Sequence, residues 1–193
     1  MNSSINSSYT FNYSQPSEYR LSHDSVFLAQ KVFECLSVVD LENKQALDIC
    51  AGCGVVGMDF LFHRRVQGLT VPGNFDFLEV QSTYLEHFYE NVIRLGPIDS
   101  KLNFFNMNYN ELQNNQYAER YDLIVCNPPY FQMNQGRLSP NQFKNRCRFY
   151  IDSDLKNLLF GIAASLKQTG SGYILLRDLR QHGWNAITEA KKI

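Results

Sequence analysis

An asparagine, two prolines and a tyrosine follow an apolar run at residues 124–130, which read IVCNPPY. The side-chain oxygen of Asn127 and the backbone carbonyl of Pro128 are two acceptors for the hydrogens of a planar amine. Pro128 and Pro129 restrict the backbone, so the acceptors are preorganised. The ring of Tyr130 offers a flat face for a base. This group suits attack by an aromatic amine, whose nitrogen must pyramidalise and becomes positively charged.

A glycine-rich turn follows another apolar run and precedes a predicted helix. Residues 48–57 read DICAGCGVVG, so Gly52, Gly54 and Gly57 match the G-x-G-x-x-G spacing of dinucleotide-binding turns. Glycines let a backbone turn sharply and let a ligand approach it closely, and the start of the next helix offers free N–H groups. A tight connection without any ligand would also use glycines here.

Two carboxylates accompany this turn. Glu79 ends the next apolar run, where it is expected to bind both hydroxyls of a ribose, although a solvated residue at a strand end is an alternative. Asp48 ends the first run, where its charge would repel a pyrophosphate and suit an amino group. S-adenosylmethionine has an amino group, a sulfonium and a carboxylate for the helix start. We therefore expect this cofactor rather than a dinucleotide.

The elements that must position these residues alternate between short apolar runs and amphipathic stretches. This alternation predicts an α/β, Rossmann-like fold with a mostly parallel central sheet flanked by helices. Both motifs would then lie at the carboxyl edge of the sheet. Residues 131–149 are predicted to form a long functional loop. The predicted strands are 46–50, 75–80, 102–107, 121–126 and 173–176; the predicted helices are 24–39, capped by Ser22 or Asp24, 55–65, 82–95, 153–168 and the segment after Trp184.

Composition bounds the class of protein. The chain has 193 residues, a net charge of −1 and 44% hydrophobic residues, which is typical of one globular domain. No stretch approaches the about 20 apolar residues of a membrane span, and the Asn- and Ser-rich N-terminus does not resemble a signal peptide. We predict a flexible tail at 1–10, a single domain at 11–193, and a cytoplasmic protein with no membrane partner.

Cysteine spacing raises a second hypothesis for the glycine turn. Cys50 and Cys53 have the C-x-x-C spacing of redox centres and of half a zinc site. No second pair of cysteines or histidines completes a zinc site, so we expect no metal. The net charge predicts no general attraction to nucleic acid. Lys144, Arg146 and Arg148 nevertheless form a local basic group that could contact phosphates.

The motifs together resemble a known class of enzymes. The DICAGCG turn at 48–54, Glu79 and the NPPY at 127–130 are similar to those of class I S-adenosylmethionine-dependent methyltransferases of the amino-group type. Residues 19–32 and 127–150 resemble the bacterial family that methylates the exocyclic N6 amine of adenine 37, beside the anticodon, in a valine tRNA. The resemblance extends from about Phe11 to the end of the chain, and it implies S-adenosylmethionine as cofactor and tRNA as substrate.

The resemblance also implies the site residues, with some departures. Cys50 stands first in the glycine motif, which is tolerable if its side chain points away from the cofactor. Asn108 stands where an aspartate usually holds the adenine amine, and Tyr150 stands at a glutamate position. The expected catalytic residues are Asn127, Pro128, Pro129 and Tyr130; the expected cofactor contacts are Asp48, Cys50, Gly52, Gly54, Glu79, Asn108 and Asn127; the expected substrate contacts are Tyr130, Phe131, Lys144, Arg146 and Arg148.

Length distinguishes this chain from the family. Family members usually continue after strand five with two strands that form an antiparallel hairpin, and we expect this C-terminally short sequence to lack that hairpin. Strand five would then be an exposed edge, which predicts a homodimer through that edge. Two other functions stay open. NPPY also occurs in methyltransferases that modify a glutamine amide of a protein or an adenine of DNA, and the chain could instead bind the cofactor without catalysis.

Overall fold

A computed structural model describes residues 12–20, 23–178 and 184–193. The predicted tail at 1–10 and the predicted capping residue Ser22 lie outside these ranges. Five strands form one parallel sheet in the order β3-β2-β1-β4-β5. This arrangement confirms the predicted α/β architecture with a parallel central sheet. The strands are β1 (Gln45–Ile49), β2 (Asn74–Leu78), β3 (Lys101–Phe105), β4 (Tyr121–Cys126) and β5 (Leu166–Ile174).

Helices cover both faces of the sheet. Successive residues of a strand point to opposite faces, and the strands carry apolar side chains on both faces. Ala46 packs into one apolar core, with residues of the first three helices, whereas Leu47 and Ile49 pack into a second core with the fifth helix. The helices are α1 (His23–Leu36), α2 (Val55–Val66), α3 (Tyr84–Leu95), α4 (Gln142–Arg148), α5 (Leu155–Ser165) and α6 (Ala186–Ala190).

The strand order reverses beside β1. The chain runs outward from β1 to β3 and then returns to place β4 on the other side of β1. In this pairing Ile49 lies opposite Cys126, so β1 and β4 end side by side. Such a reversal opens a crevice at the carboxyl edge of a parallel sheet. The glycine turn after β1 and the NPPY segment after β4 both begin at this crevice.

Residues 12–20, which we call the N-terminal strap, lie against α2 and α3. The Tyr13 hydroxyl donates to Asp59 Oδ1 over 3.0 Å. The Asn91 side chain accepts from the Ser14 backbone N–H and donates to the Ser14 carbonyl, over 2.6 Å and 2.9 Å. Asn91 Nδ2 also donates to the Cys53 carbonyl over 3.0 Å. One buried asparagine therefore connects the strap to the glycine turn.

Four predicted elements are wrong in extent, and one of them is the fifth strand, which was predicted at 173–176 and is observed at Leu166–Ile174. The predicted loop 131–149 contains α4, which begins where the Asn141 side chain accepts from the Lys144 N–H over 3.2 Å. The fourth predicted helix was expected to reach Gln168, but β5 starts at Leu166. Gly170 lies inside β5, and a Cβ there would sit 3.0 Å from the Tyr121 carbonyl. This glycine allows a close approach to β4. The first helix ends at Leu36 rather than near Val39.

β5 pairs with β4 and is an edge strand of the described sheet. An edge strand presents backbone groups that another chain can pair with. Dimerisation through this edge stays a prediction. Within the described ranges, no helix is both long and apolar enough to cross a membrane.

Gly57→Ala is expected to destabilise the fold by about 1–3 kcal/mol, as overpacking does. A Cβ at Gly57 would lie 2.5 Å from Phe77 Cε1 and 3.0 Å from Phe75 Cε1, and both rings are fully buried. The gain in helix propensity, about 1 kcal/mol, does not offset this clash. Urea unfolding measures the free energy of unfolding.

Gly73→Ala is the matched control, because the nearest atom to its added Cβ is 3.6 Å away, on the backbone of Asn43. We expect it to change stability by less than about 0.5 kcal/mol. If the two substitutions change the free energy of unfolding equally, α2 packs less tightly against β2 than the structure shows.

Candidate active site

A cleft opens where β1 and β4 end. Its empty volume is about 1070 Å³, including the part that is open to solvent. This size is suitable for a nucleoside-containing ligand. The walls come from the glycine turn, the end of β2, the strap and residues 127–130, which we call the clamp segment. The two motifs that sequence analysis associates with cofactor and target amine therefore face one space.

Glu79 is held rigidly at the wall of this cleft. Its Oε1 accepts from the Gln81 N–H over 2.8 Å, and its Oε2 accepts from the Gly52 N–H over 3.0 Å. Burial raises the pKa of Glu79, whereas these two hydrogen bonds favour the ionised form. Each carboxylate oxygen retains acceptor capacity for another donor. Glu79 thus fits the predicted role of binding two hydroxyl groups.

Asn106 positions the strand end that carries Glu79. Its Nδ2 donates to the carbonyls of Glu79 and Val80, over 2.9 Å and 3.0 Å. The sequence does not point to Asn106, because an asparagine in a loop belongs to no motif with a recognisable spacing. The Glu79 N–H still donates to the Phe105 carbonyl over 3.0 Å, and Asn106 supplies the donors for the two carbonyls that follow the end of β2.

Asp48 lies behind the glycine turn rather than on the cleft wall. Its Oδ2 accepts from the Gly57 N–H over 2.9 Å, and its Oδ1 is buried without a hydrogen-bond partner. Burial raises the pKa of Asp48 to about 8, and Glu79 adds to the effect. A largely protonated Asp48 would not repel a pyrophosphate, so that part of the argument against a dinucleotide loses its support. Its direct contact with a cofactor stays a prediction.

Gly54 also lies outside the cleft lining. Its φ is 88°, and a Cβ there would sit 2.8 Å from Met58 Cε. Backbone conformation and packing therefore require glycine at this position. Gly52, with φ 55°, does line the cleft. Of the two glycines expected to hold a ligand, Gly52 has the position for it.

Cys50 lines the cleft and has the left-handed φ of 57°. Burial raises the pKa of the Cys126 thiol, at the end of the neighbouring strand, and the nearby Cys50 thiol adds to the effect. The Cys50 side chain thus points towards β4, which is compatible with the expectation that it avoids the cofactor. Among the described residues, no group of three or more His, Cys, Asp or Glu side chains is arranged to hold a metal ion.

The clamp segment is connected to the first turn of α1. Asn127 Nδ2 donates to Ser25 Oγ over 2.9 Å. Asn127 Oδ1 accepts from the Tyr130 hydroxyl over 2.7 Å, and that hydroxyl lies 3.3 Å from Asp24 Oδ2. Asn127, Pro128, Pro129 and Tyr130 all line the cleft. The acceptor expected to meet the target amine is thus already bonded to Tyr130, and one lone pair of the oxygen remains.

Arginine side chains flank the aromatic residues of the clamp. The guanidinium of Arg177 lies 5.5 Å from the ring centre of Tyr130 and 5.9 Å from that of Phe131. Arg148 lies 5.7 Å from the ring centre of Phe131. Arg177 therefore covers part of the ring that was expected to be free for a base. Arg177 lies in the segment after β5, and no sequence motif contains it.

Asn108 and Arg146 line the cleft, but their polar groups already have partners. Asn108 Oδ1 accepts from the Asn110 N–H over 3.0 Å, and its Nδ2 donates to the Asp152 carbonyl over 2.9 Å. Arg146 forms a two-pronged ion pair with Asp152, with contacts of 2.9 Å and 2.6 Å. Arg146 is therefore engaged within the protein rather than presented to a phosphate. Lys144 is half-buried and Arg148 is exposed.

Part of the cleft lining carries no mark in the sequence. These residues come from segments that only folding brings to the sheet edge. Tyr19 and Ser25 lie in the stretch 19–32 that carries the family resemblance, which is the signal that could have found them. The missed lining residues include Gln15, Tyr19, Ser25, Gln81, Tyr84, Cys147, Asp152 and Ser153.

Solved structures define the class of fold. TrmN from Thermus thermophilus matches with a TM-score of 0.54 at 17% identity, over 86% of this chain and 40% of that chain. A protein of Methanococcus maripaludis assigned as an S-adenosylmethionine-dependent methyltransferase matches with a TM-score of 0.50 at 13% identity, over 88% of this chain and 64% of that chain. The chain has the Rossmann-like fold of S-adenosylmethionine-dependent methyltransferases, as predicted.

Curated proteins with similar sequences indicate a narrower group of enzymes than the fold does. The tRNA1(Val) (adenine(37)-N6)-methyltransferase of Escherichia fergusonii is 26% identical over 144 residues, which are 75% of this chain and 55% of that protein. The resemblance predicted from the sequence is thus confirmed. The chain spans about half the length of the curated relatives it matches. No protein-family model matches it.

Asp48→Asn is expected to stabilise the protein more at pH 8 than at pH 5. The pKa of Asp48 is about 8 in the folded state against an ordinary value of 3.8, so the folded state retains a proton that the unfolded state has lost. Stability from this group is therefore lost as the pH rises from about 4 towards 8. An amide does not titrate, and its oxygen can still accept from Gly57. Urea unfolding at both pH values measures the difference.

The exposed Asp99→Asn is the control for removing one negative charge. It should affect the free energy of unfolding equally at pH 5 and pH 8. An Asp48→Asn effect that does not change between these pH values would contradict the burial of an ionisable carboxyl at this position.

Proposed function

We propose that this chain transfers a methyl group from S-adenosylmethionine to the exocyclic amine of an adenine in tRNA. The observation that carries the proposal is that Glu79 and the whole clamp segment line one cleft. A ribose-binding carboxylate and an amine-binding clamp on the same cleft fit a reaction between a nucleoside cofactor and a planar amine. The names of the curated relatives favour adenine 37 of a valine tRNA as the target.

The cofactor would supply an activated methyl group on a sulfonium. On this proposal Glu79 accepts hydrogen bonds from the two ribose hydroxyls. The turn at Gly52 accommodates the methionine part, because its glycine backbone permits close approach. The adenine lies near Asn108, whose side-chain oxygen has one lone pair beyond its bond to Asn110. The buried carboxylate and the open glycine backbone are the features of the cleft that fit this ligand.

The clamp segment would prepare the target amine for reaction. Asn127 Oδ1 and the Pro128 carbonyl would accept the two hydrogens of the amine, which favours the pyramidal geometry needed for attack. Both acceptors also stabilise the positive charge that develops on the nitrogen. The two prolines keep the carbonyl in place, so little reorganisation is needed. Tyr130 would contact the base with the part of its ring that Arg177 does not cover.

The substrate would be RNA held by local positive charge. Arg148 and Arg177 are exposed. Arg148 lies over the ring of Phe131, and Arg177 lies over the rings of Tyr130 and Phe131. Neither arginine forms an ion pair with a described carboxylate. Arginine contacts to phosphates position a nucleic acid without reading its sequence. Lys144 is a further candidate, whereas the pairing of Arg146 with Asp152 argues against its contacting phosphate. A tRNA substrate implies a cytoplasmic location.

Nucleoside mass spectrometry tests the substrate directly. Unmodified tRNA that lacks N6-methyladenosine is incubated with the chain and cofactor, and N6-methyladenosine is expected to appear in the digested tRNA. Parallel reactions contain DNA with unmodified adenine and a protein with a candidate glutamine. Transfer to DNA or to a glutamine amide instead would replace the tRNA proposal. Binding of S-adenosylhomocysteine without transfer to any of them would favour a non-catalytic role.

Asn127→Ala is expected to lower kcat at least about a hundredfold, the effect of losing a preorganised transition-state hydrogen bond. The dissociation constant of S-adenosylhomocysteine, measured by calorimetry, should change little. Tyr130→Phe keeps the ring and loses only the hydroxyl bond to Asn127, so a smaller loss is expected. Near-normal turnover by Asn127→Ala would exclude the clamp assignment.

A further inference from the structure

Asn127 is contacted on both sides of its carboxamide. Its nitrogen donates to Ser25 Oγ over 2.9 Å, and its oxygen accepts from Tyr130 over 2.7 Å. Ser25 lies in the first turn of α1, 102 residues away along the chain. Because Ser25 also lines the cleft, this contact lies at the reaction space and not on the far side of the protein.

The orientation of the carboxamide decides whether Asn127 can act. The oxygen and the NH2 group have nearly the same shape, and a half-turn about the last side-chain bond exchanges them. In the exchanged orientation an NH2 group would face the target amine, so that two donors would meet and neither would be satisfied. Asn127 can accept a hydrogen of the amine only if its own NH2 group is held elsewhere.

The distances favour the observed orientation. In the exchanged orientation, Tyr130 would have to accept from Asn127 and give its single proton to Asp24. The hydroxyl is 3.3 Å from Asp24 Oδ2 but 2.7 Å from Asn127 Oδ1. A separation of 2.7 Å is typical of an O–H···O hydrogen bond and short for N–H···O, whereas 3.3 Å is long for O–H···O. On the other side of the carboxamide, Ser25 Oγ is the acceptor that the NH2 group has.

We propose that Ser25 is a positioning residue for the methyl transfer, because it holds the NH2 group of Asn127 so that the Asn127 oxygen faces the target amine. This inference rests on the proposed function and adds a residue to it. On this proposal Ser25 acts through Asn127 and not on the reacting atoms. Its effect is on the fraction of molecules in which the clamp presents an acceptor. The first turn of α1 thereby becomes part of the amine clamp.

Ser25→Ala and Ser25→Thr test the hydroxyl specifically. Loss of one neutral hydrogen bond predicts that Ser25→Ala lowers kcat about three- to tenfold. The KM for tRNA and the dissociation constant of S-adenosylhomocysteine should stay within about twofold, since the bond acts through Asn127. Ser25→Thr retains a hydroxyl and should recover most of the activity. A residue that merely supports α1 would not give this split between kcat and KM.

Ser37→Ala is the matched control for an effect on α1. Its hydroxyl donates to the Glu34 carbonyl over 3.0 Å at the other end of the helix, on an exposed surface. It should leave kcat unchanged. Thermal unfolding of the variants compares their stability, and we expect the melting temperature of Ser25→Ala to resemble that of Ser25→Thr.

Side-chain amide NMR gives a readout that does not depend on turnover. The Asn127 NH2 signals of 15N-labelled protein are identified by their absence in Asn127→Asp. In Ser25→Ala these signals should shift and exchange faster with water, and in Ser25→Thr they should stay near those of the wild type. Unchanged Asn127 signals in Ser25→Ala would overturn the inference, whatever the activity. So would an activity loss that threonine does not restore. If the wild type transfers no methyl group, the proposed function is wrong. The Asn127 amide signals would then still show whether Ser25 contacts Asn127.

Discussion

The parallel pairing of β1 with β4 is the constraint on which the site depends. Ile49 and Cys126 are opposite one another as the last residues of these strands, so the next residues of both strands emerge at one edge. The glycine turn begins beside the clamp segment because of this register. A shift of β4 by one residue would turn its buried side chains to the opposite face of the sheet. The apolar cores on the two faces of the sheet therefore maintain the geometry of the cleft.

Buried acidic groups at this edge have different environments and different roles. Glu79 accepts two backbone N–H groups and faces the cleft, whereas Asp48 accepts one from Gly57 and lies behind the turn. Burial raises the pKa of both carboxyls. The additional N–H group and the cleft position suit Glu79 for a polar ligand. Asp48 instead joins the end of β1 to the first turn of α2.

Segments distant in sequence close the cleft around these strand ends. The strap is held against α3 by Asn91, which also binds the glycine turn. The first turn of α1 contacts the clamp through Ser25, and Arg177 from the segment after β5 lies on Tyr130. Each wall thus has its own connection to a motif residue. Such contacts limit the freedom of the clamp before any ligand arrives, which lowers the cost of ordering it.

The sequence by itself determined the α/β class and the position of β4, and it put Glu79 and the clamp residues at strand ends, because hydrophobic period, glycine turns and proline restrictions act locally. It did not reveal that Asp48 is buried without a second partner, that Asn108 caps a short helical turn, or that Arg146 pairs with Asp152. Those outcomes depend on which side chains meet across the fold. Tertiary structure alone decided them, since burial and hydrogen-bond partners are set by neighbours that are distant along the chain.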